Sequence, residues 1–213
     1  MSPDAPRARN PLASLHRFAQ RPRARERCEL CSAELSEDHA HLVELAGRRL
    51  LCACEPCAIL FSNPAAPKYR RVPRDAWLLR DFRLGDAQWE GLGLPINLAF
   101  FMHSTPAGRV VALYPSPAGA TEALPPPEAW QTLVEDNPVL GRLEPDVEAL
   151  LVNRLGPAPE YYRVGIDECY RLVGLIRTHW KGLSGGPAVQ EEMGRFFAAL
   201  KQRARPVGGA AHA

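Results

Sequence analysis

Apolar and polar positions change their spacing along the chain, and the spacing predicts the elements. His41–Leu45 and Arg48–Cys52 are two strand-length runs around Ala46-Gly47, which predicts a β-hairpin. A Cys-x-x-Cys turn lies on either side of it. Lys68–Pro73 and Ala76–Leu84 read as strands, and Asp86–Gly93 as a short helix ended by glycine. The apolar runs INLAFFMHST and RVVALYPSP, joined through Thr105-Pro106-Ala107-Gly108, predict an antiparallel hairpin. Glu128–Glu135, behind Pro125–Pro127, reads as a helix opened by proline, and Val147–Leu155 and Glu160–Ile166 read as strands. The period then shifts to three and four. Cys169, Leu172, Val173, Ile176 and Trp180 mark one face of a helix that Asp167 caps and Gly182 closes. After the turn Ser184-Gly185-Gly186, Pro187 opens a last helix with the stripe Val189, Met193, Phe196, Phe197 and Leu200. Strands followed by helices imply an α+β fold, an antiparallel sheet with the helices packed on one face.

Composition adds boundaries. With 213 residues, 46% hydrophobic and 23% charged, the chain is long enough for one domain plus a small appendage and is neither disordered nor collagen-like. Its expected parts are a flexible basic arm (1–27, with a short helix over Leu12–Ala19), a metal lobe (28–63), an α+β body (68–205) and a flexible tail (206–213). Asn63-Pro64-Ala65-Ala66-Pro67 forms a stiff linker between lobe and body. The arm holds seven Arg against Asp4 and Glu26, while the whole chain is only +2, so the body is mildly acidic. Polyanion binding by the body is therefore not expected. No apolar run reaches the roughly 18 residues of a membrane span, and no apolar leader opens the chain, so a cytoplasmic protein is expected.

Five of the six cysteines fall between residues 28 and 57. Two Cys-x-x-Cys turns, Cys28/Cys31 and Cys54/Cys57, brought together by the hairpin, give a four-sulfur site suited to a soft ion. A lobe of this size has little core of its own, so metal binding is expected to supply much of its folding free energy. The pattern resembles zinc ribbons and rubredoxins, which predicts a small zinc-ribbon-like or rubredoxin-like lobe. Rubredoxin knuckles carry glycine after the second cysteine, where this chain has Ser32 and Ala58, and Glu29 and Glu55 add negative charge. Zn²⁺ is thus expected, with iron, on four thiolates or in an iron–sulfur centre, as the alternative. Cys52 shares a strand face with Cys54 about 7 Å along; it can replace Cys54 as ligand, stand free beside the ion, or be a small buried hydrophobe.

Other candidates have bland readings beside the sharp ones. His39 and His41 are ligands only if a cysteine opts out, and a loop histidine is ordinarily solvated. His103, Tyr114 and Ser116 end apolar strands and are candidates to line a pocket. Asp167, Glu168, Cys169, Tyr170 and His179 resemble an acid–base–nucleophile set, but His179 lies nearly three turns past Cys169, which reads as core. Ser184-Gly185-Gly186 is either a phosphate cradle or a plain helix cap. No nucleophile elbow, HExxH or GxGxxG occurs, and no catalytic residue is assigned.

Larger blocks carry a more specific likeness. CELCSAEL, HAHLVEL, RRLLCACEPCAILF, INLAFFMHSTPAGRVVALYPSPAGATE, DVEALLVNR and IDECYRLVGLIRTHWKGLSGG with EEMGRFFAAL resemble an uncharacterised bacterial domain-of-unknown-function family over roughly residues 26–205. The resemblance implies a family whose members are often encoded beside nickel–iron uptake hydrogenases and their accessory proteins. The resemblance implies a setting of assembly, maturation or electron supply for a metalloenzyme, and no catalytic residues. The expected function is a non-catalytic, metal-binding accessory protein that docks a protein partner such as a hydrogenase subunit or maturation factor. The alternatives are a rubredoxin-like iron electron carrier and a nucleic-acid-binding zinc ribbon that uses the basic arm.

Overall fold

In the computed structural model, which describes residues 26–62, 68–182 and 185–207, the chain builds two sheets. Most of the basic arm, including the short helix expected over Leu12–Ala19, the 63–67 linker, Ser184 and residues 208–213 of the tail lie outside the described residues. The small sheet contains β1 (Ala40–Glu44), β2 (Arg49–Ala53) and β3 (Tyr69–Arg71), in the order β2-β1-β3. β1 and β2 form the expected hairpin, Ala40 opposite Ala53 and Glu44 opposite Arg49. The connection is Leu45–Arg48 rather than Ala46-Gly47 alone, and Arg48 takes the left-handed φ of 51°. β3, from beyond residues 63–67, pairs antiparallel with the other edge of β1. Helix α1 (Glu55–Phe61) follows β2.

The large sheet has seven strands: β4 (Trp77–Leu79), β5 (Leu98–Ser104), β6 (Arg109–Ser116), β7 (Gly119–Ala123), β8 (Glu148–Asn153), β9 (Glu160–Gly165) and β10 (Arg205–Val207). Their order is β10-β4-β9-β8-β5-β6-β7, antiparallel except where β10 runs parallel to β4. The fold is thus α+β, with the C-terminal helices on the mixed sheet. The strand expected over Ala76–Leu84 stops at Leu79 because other groups satisfy its later backbone. Asn137 accepts from Arg83 N at 2.7 Å and donates to Arg83 O at 2.8 Å, replacing a strand neighbour. β7 and β10 were not expected; β10 contains Pro206, which an edge strand tolerates.

Among the described residues five helices complete the fold: α1, α2 (Asp86–Gly91), α3 (Pro127–Asp136), α4 (Ile166–His179) and α5 (Gly186–Arg203), with a 3₁₀ turn at Pro138–Arg142. α2 to α5 cover both faces of the large sheet, which corrects the expectation of one covered face. Phe100, Met102, Leu151 and Tyr162 pack with Cys169, Leu172, Ile176 and Leu200 of α4 and α5. On the other side Phe101, Leu150, Val152 and Tyr161 pack with Trp89, Leu133 and Leu140. Continuous apolar runs such as LAFFM in β5 and ALLV in β8 belong to strands buried on both faces, where a one-sided sheet would alternate.

Asp167 is not the cap of α4. The helix begins at Ile166 with Gly165 at its N-cap, leaving the Asp167 carboxylate free to reach the small sheet. That approach is tight. A Cβ on Gly165 would lie 2.5 Å from Pro73 O, 2.6 Å from Asp167 Oδ1 and 2.7 Å from Val72 Cγ1. Gly165→Ala is accordingly expected to cost about 1–3 kcal/mol by overpacking. That corresponds to a fall of roughly 3–10 °C in Tm for a domain of this size, read by calorimetry.

Candidate metal centre

The first cysteine pair sits in a closed backbone loop. Cys28 N donates to Ala33 O at 2.8 Å and Ser32 N to Cys28 O at 2.7 Å, while Ser32 takes the left-handed φ of 64°. Glycine adopts that conformation most easily, and serine holds it here at a cost. The second pair does not form a matching turn. Cys54 is the N-cap of α1 and Cys57 lies in its first turn, where Ala58 N donates to Cys54 O at 2.9 Å. Pro56 explains the change, since proline fits the first turn of a helix and lacks only an N–H that has no helical partner there. Glu29 ties the two halves together. Its N donates to Cys52 O and its Oε1 accepts from Cys52 N, both at 2.9 Å.

Knuckle, hairpin and helix together bring the sulfurs of Cys28, Cys31, Cys54 and Cys57 to within 4.8 Å of one another. Cys31 and Cys54 are 3.6 Å apart. Tetrahedral zinc with Zn–S bonds of ~2.3 Å requires sulfur–sulfur distances of about 3.8 Å, so the set fits such an ion with little adjustment. The thiols are electrostatically unequal. Burial pushes Cys28 up, but N–H groups of Cys54, Leu30 and Cys31 outweigh it and bring the thiol down to about 6. Burial, followed by contact with Cys54, Cys31 and Cys28, pushes Cys57 up to about 12. Four sulfurs at this spacing cannot all be thiolates unless a cation joins them. The local core is small, Cys28 and Cys57 with Ala40, Leu42, Leu51, Ala53 and Ala58, which suits a lobe completed by an ion.

Cys52 belongs to a different group. It stands opposite His41 in the hairpin register, and its sulfur lies within 4.8 Å of ring nitrogens of His39 and His41. Its thiol is pushed up by burial and then by Glu26, Glu29 and Cys28. His39 is not the solvated loop residue expected: its side chain is 6% exposed and Nδ1 lies 2.9 Å from Ser36 O. His41 Nδ1 lies 2.9 Å from Asp167 Oδ2, across the contact between the small sheet and α4. The signal for this group was readable as a strand-period His-x-His facing a cysteine on the paired strand.

The remaining candidates do not assemble. Cys169 is buried in the core under α4, which pushes its thiol up, and His179 Nδ1 is taken up 2.9 Å from Leu175 O. Antiparallel pairing puts His103 opposite Val110 near the β5–β6 turn, but Tyr114 opposite Thr121 and Ser116 opposite Gly119 at the far end. These three therefore share no pocket. Gly185 is the N-cap of α5 with φ 84°.

A profile for a family of unknown function, DUF5947, matches residues 27–204. The chain belongs to this family. The match covers the small sheet, the four-sulfur group, the five described helices and every strand of the large sheet except β10. No curated protein and no solved structure shows significant similarity to the chain. No helix among the described residues is long and apolar enough to cross a membrane.

The strained knuckle residue provides a check on the geometry. Ser32→Gly is expected to stabilise the protein by up to about 1 kcal/mol by relieving the left-handed conformation. Ser32→Val is expected to lose at least that much, and urea midpoints of the three proteins report both changes.

Proposed function

We propose that Cys28, Cys31, Cys54 and Cys57 hold a structural Zn²⁺ and that the lobe it fixes is a docking element of a non-catalytic accessory protein. The convergence of the four sulfurs, two from a knuckle and two from a helix start, carries this reading. A soft tetrathiolate set selects zinc or iron over hard ions. Zinc is favoured because the second pair has the backbone of a helix and not of a second knuckle. Ala58 N is committed to Cys54 O, and the rise in the Cys57 thiol comes from burial and from the other sulfurs. A rubredoxin-like electron carrier needs amide donors around both pairs to tune its iron.

Docking is supported by the residues just past the second pair. Ile59, Leu60 and Phe61 of α1 are 64%, 71% and 42% exposed, a cluster of large apolar side chains beside the candidate ion. Single exposed apolar residues are ordinary; three in sequence on one short helix suit a protein partner. The resemblance to a family encoded beside nickel–iron hydrogenases makes a hydrogenase subunit or maturation factor the partner we propose, and assembly of that metalloenzyme the setting.

Elemental analysis of the anaerobically purified full chain is expected to show zinc at the four-sulfur site and no ferric–thiolate absorption. The double variant C28S/C31S is expected to lose that ion and at least about a hundredfold of hydrogen-exchange protection over residues 26–62. A structural zinc contributes on the order of 10 kcal/mol, ample for such a loss. A coloured iron protein would replace this reading with electron transfer. Unchanged protection in C28S/C31S would remove the structural role.

A further inference from the structure

A second cluster of ligand atoms lies on the other face of the same hairpin. Side chains of a strand alternate, so Ala40, Leu42, Leu51 and Ala53 point toward the four-sulfur lobe, as their shared core with Cys28 and Cys57 shows. His41 and Cys52 point the other way, directly opposite one another, and His39, just before the strand, brings its ring centroid to 4.7 Å from that of His41. One ligand atom from each of the three lies within 4.8 Å of the other two. An ion with bonds of about 2.0–2.3 Å would draw these atoms to roughly 3.3–3.8 Å, a rotamer adjustment and not a refolding.

The hydrogen bonds around the cluster leave one nitrogen of each ring without a partner. Nδ1 of His39 donates to the carbonyl of Ser36, so that nitrogen carries the hydrogen and Nε2 carries a lone pair. Yet Nε2 of His39 is buried and has no hydrogen-bond partner, on a side chain that is only 6% exposed. A buried acceptor without a partner is costly unless something fills its lone pair. Nδ1 of His41 is held by the Asp167 carboxylate at 2.9 Å, which orients the ring and leaves Nε2 as its free nitrogen. A carboxylate or carbonyl on the far nitrogen is the ordinary second shell of a metal-bound imidazole. Three acidic groups lie beside it: Glu26 Oε2 is 3.6 Å from His39 Nδ1, Glu29 accepts from Cys52 N, and Asp167 holds His41.

We propose that His39, His41 and Cys52 form a second metal site, separate from the four sulfurs, that binds a borderline divalent transition-metal ion through three protein ligands. Two imidazoles and one thiolate suit zinc and its first-row neighbours and are a poor match for calcium or magnesium. Three ligands leave a fourth position for an exogenous donor, the arrangement of sites that exchange ligands and not of closed structural ones. His41 and Cys52 are partly exposed, which leaves that position reachable from solvent.

Cobalt(II) added to the full chain whose four-sulfur site is already filled with zinc tests this. One further equivalent is expected to bind, with a charge-transfer band of single-thiolate intensity and visible d–d bands that shift when azide or imidazole is added. Cys52→Ala is expected to abolish the charge-transfer band, and His39→Asn or His41→Asn to weaken cobalt binding at least about a hundredfold. Asp167→Asn, which removes no ligand, is expected to weaken it about 10–100-fold. Retention of zinc by the four sulfurs and an unchanged far-ultraviolet spectrum show that each variant has folded. Absence of a saturable further equivalent, or its survival unchanged in both Cys52→Ala and His39→Asn, would overturn the proposal. A chain whose four sulfurs take no zinc would instead undo the structural-zinc reading, because the single-thiolate band reports on the second site alone.

Discussion

The pairing of β1 with β2 is the constraint on which the lobe's chemistry depends. With Ala40 against Ala53 and His41 against Cys52, small apolar side chains face the four sulfurs while imidazoles and a thiol face the body. A slip of one residue would exchange the two faces, burying histidines beneath the knuckle and turning Leu42 and Leu51 outward. Register is therefore held from several sides. Glu29 clamps the backbone of Cys52 from the knuckle, β3 zips onto the free edge of β1, and Arg48 reaches Glu122 of β7 at 2.9 Å.

The small sheet is also seated on the body. Val43 enters the core formed by Phe100, Leu151 and α4, and Arg70 donates to Pro145 O at 2.9 Å. His41 and Asp167 meet at the start of α4, where Gly165 makes room for the passing chain at Val72 and Pro73. An Asp at the second position of a helix gains from the helix dipole whether or not it caps. Here its carboxylate Oδ1 also accepts from Glu168 N at 2.9 Å, so one side chain serves the helix end and the histidine together.

Much of this was legible in the residues. The two Cys-x-x-Cys pairs around an Ala-Gly turn specified both the hairpin and the convergence of four sulfurs, because ligand spacing and strand pairing state the same geometry twice. The C-terminal helices followed from spacings of three and four. What escaped had specific causes. LAFFM and ALLV are uninterrupted apolar runs, whose meaning as two-sided strands emerges only when a second helical layer is known. β7 (GATEA) and β10 (RPV) owe their conformation to a neighbouring strand and not to their own propensity. Asp167 reads as a cap because local sequence cannot announce a partner 126 residues away.

The same non-local logic bears on how the two faces of the hairpin act on each other. The hairpin β1–β2, with Leu42 and Leu51 packed on its sulfur side, lies between the four-sulfur group and the His39, His41 and Cys52 cluster. Any contraction of the sulfurs onto an ion moves Cys54, which lies two residues beyond Cys52, and any pull on Cys52 is opposed by the Glu29 clamp. Neither group can therefore shift without loading the strand pair, and the strand pair is pinned to α4 through His41 and Asp167. A hairpin held this way is braced on both faces, because packed interiors resist compression. The lobe and the start of α4 are thus joined through the hairpin by a chain of contacts that runs from Cys28 and Glu29 through Cys52 and His41 to Asp167.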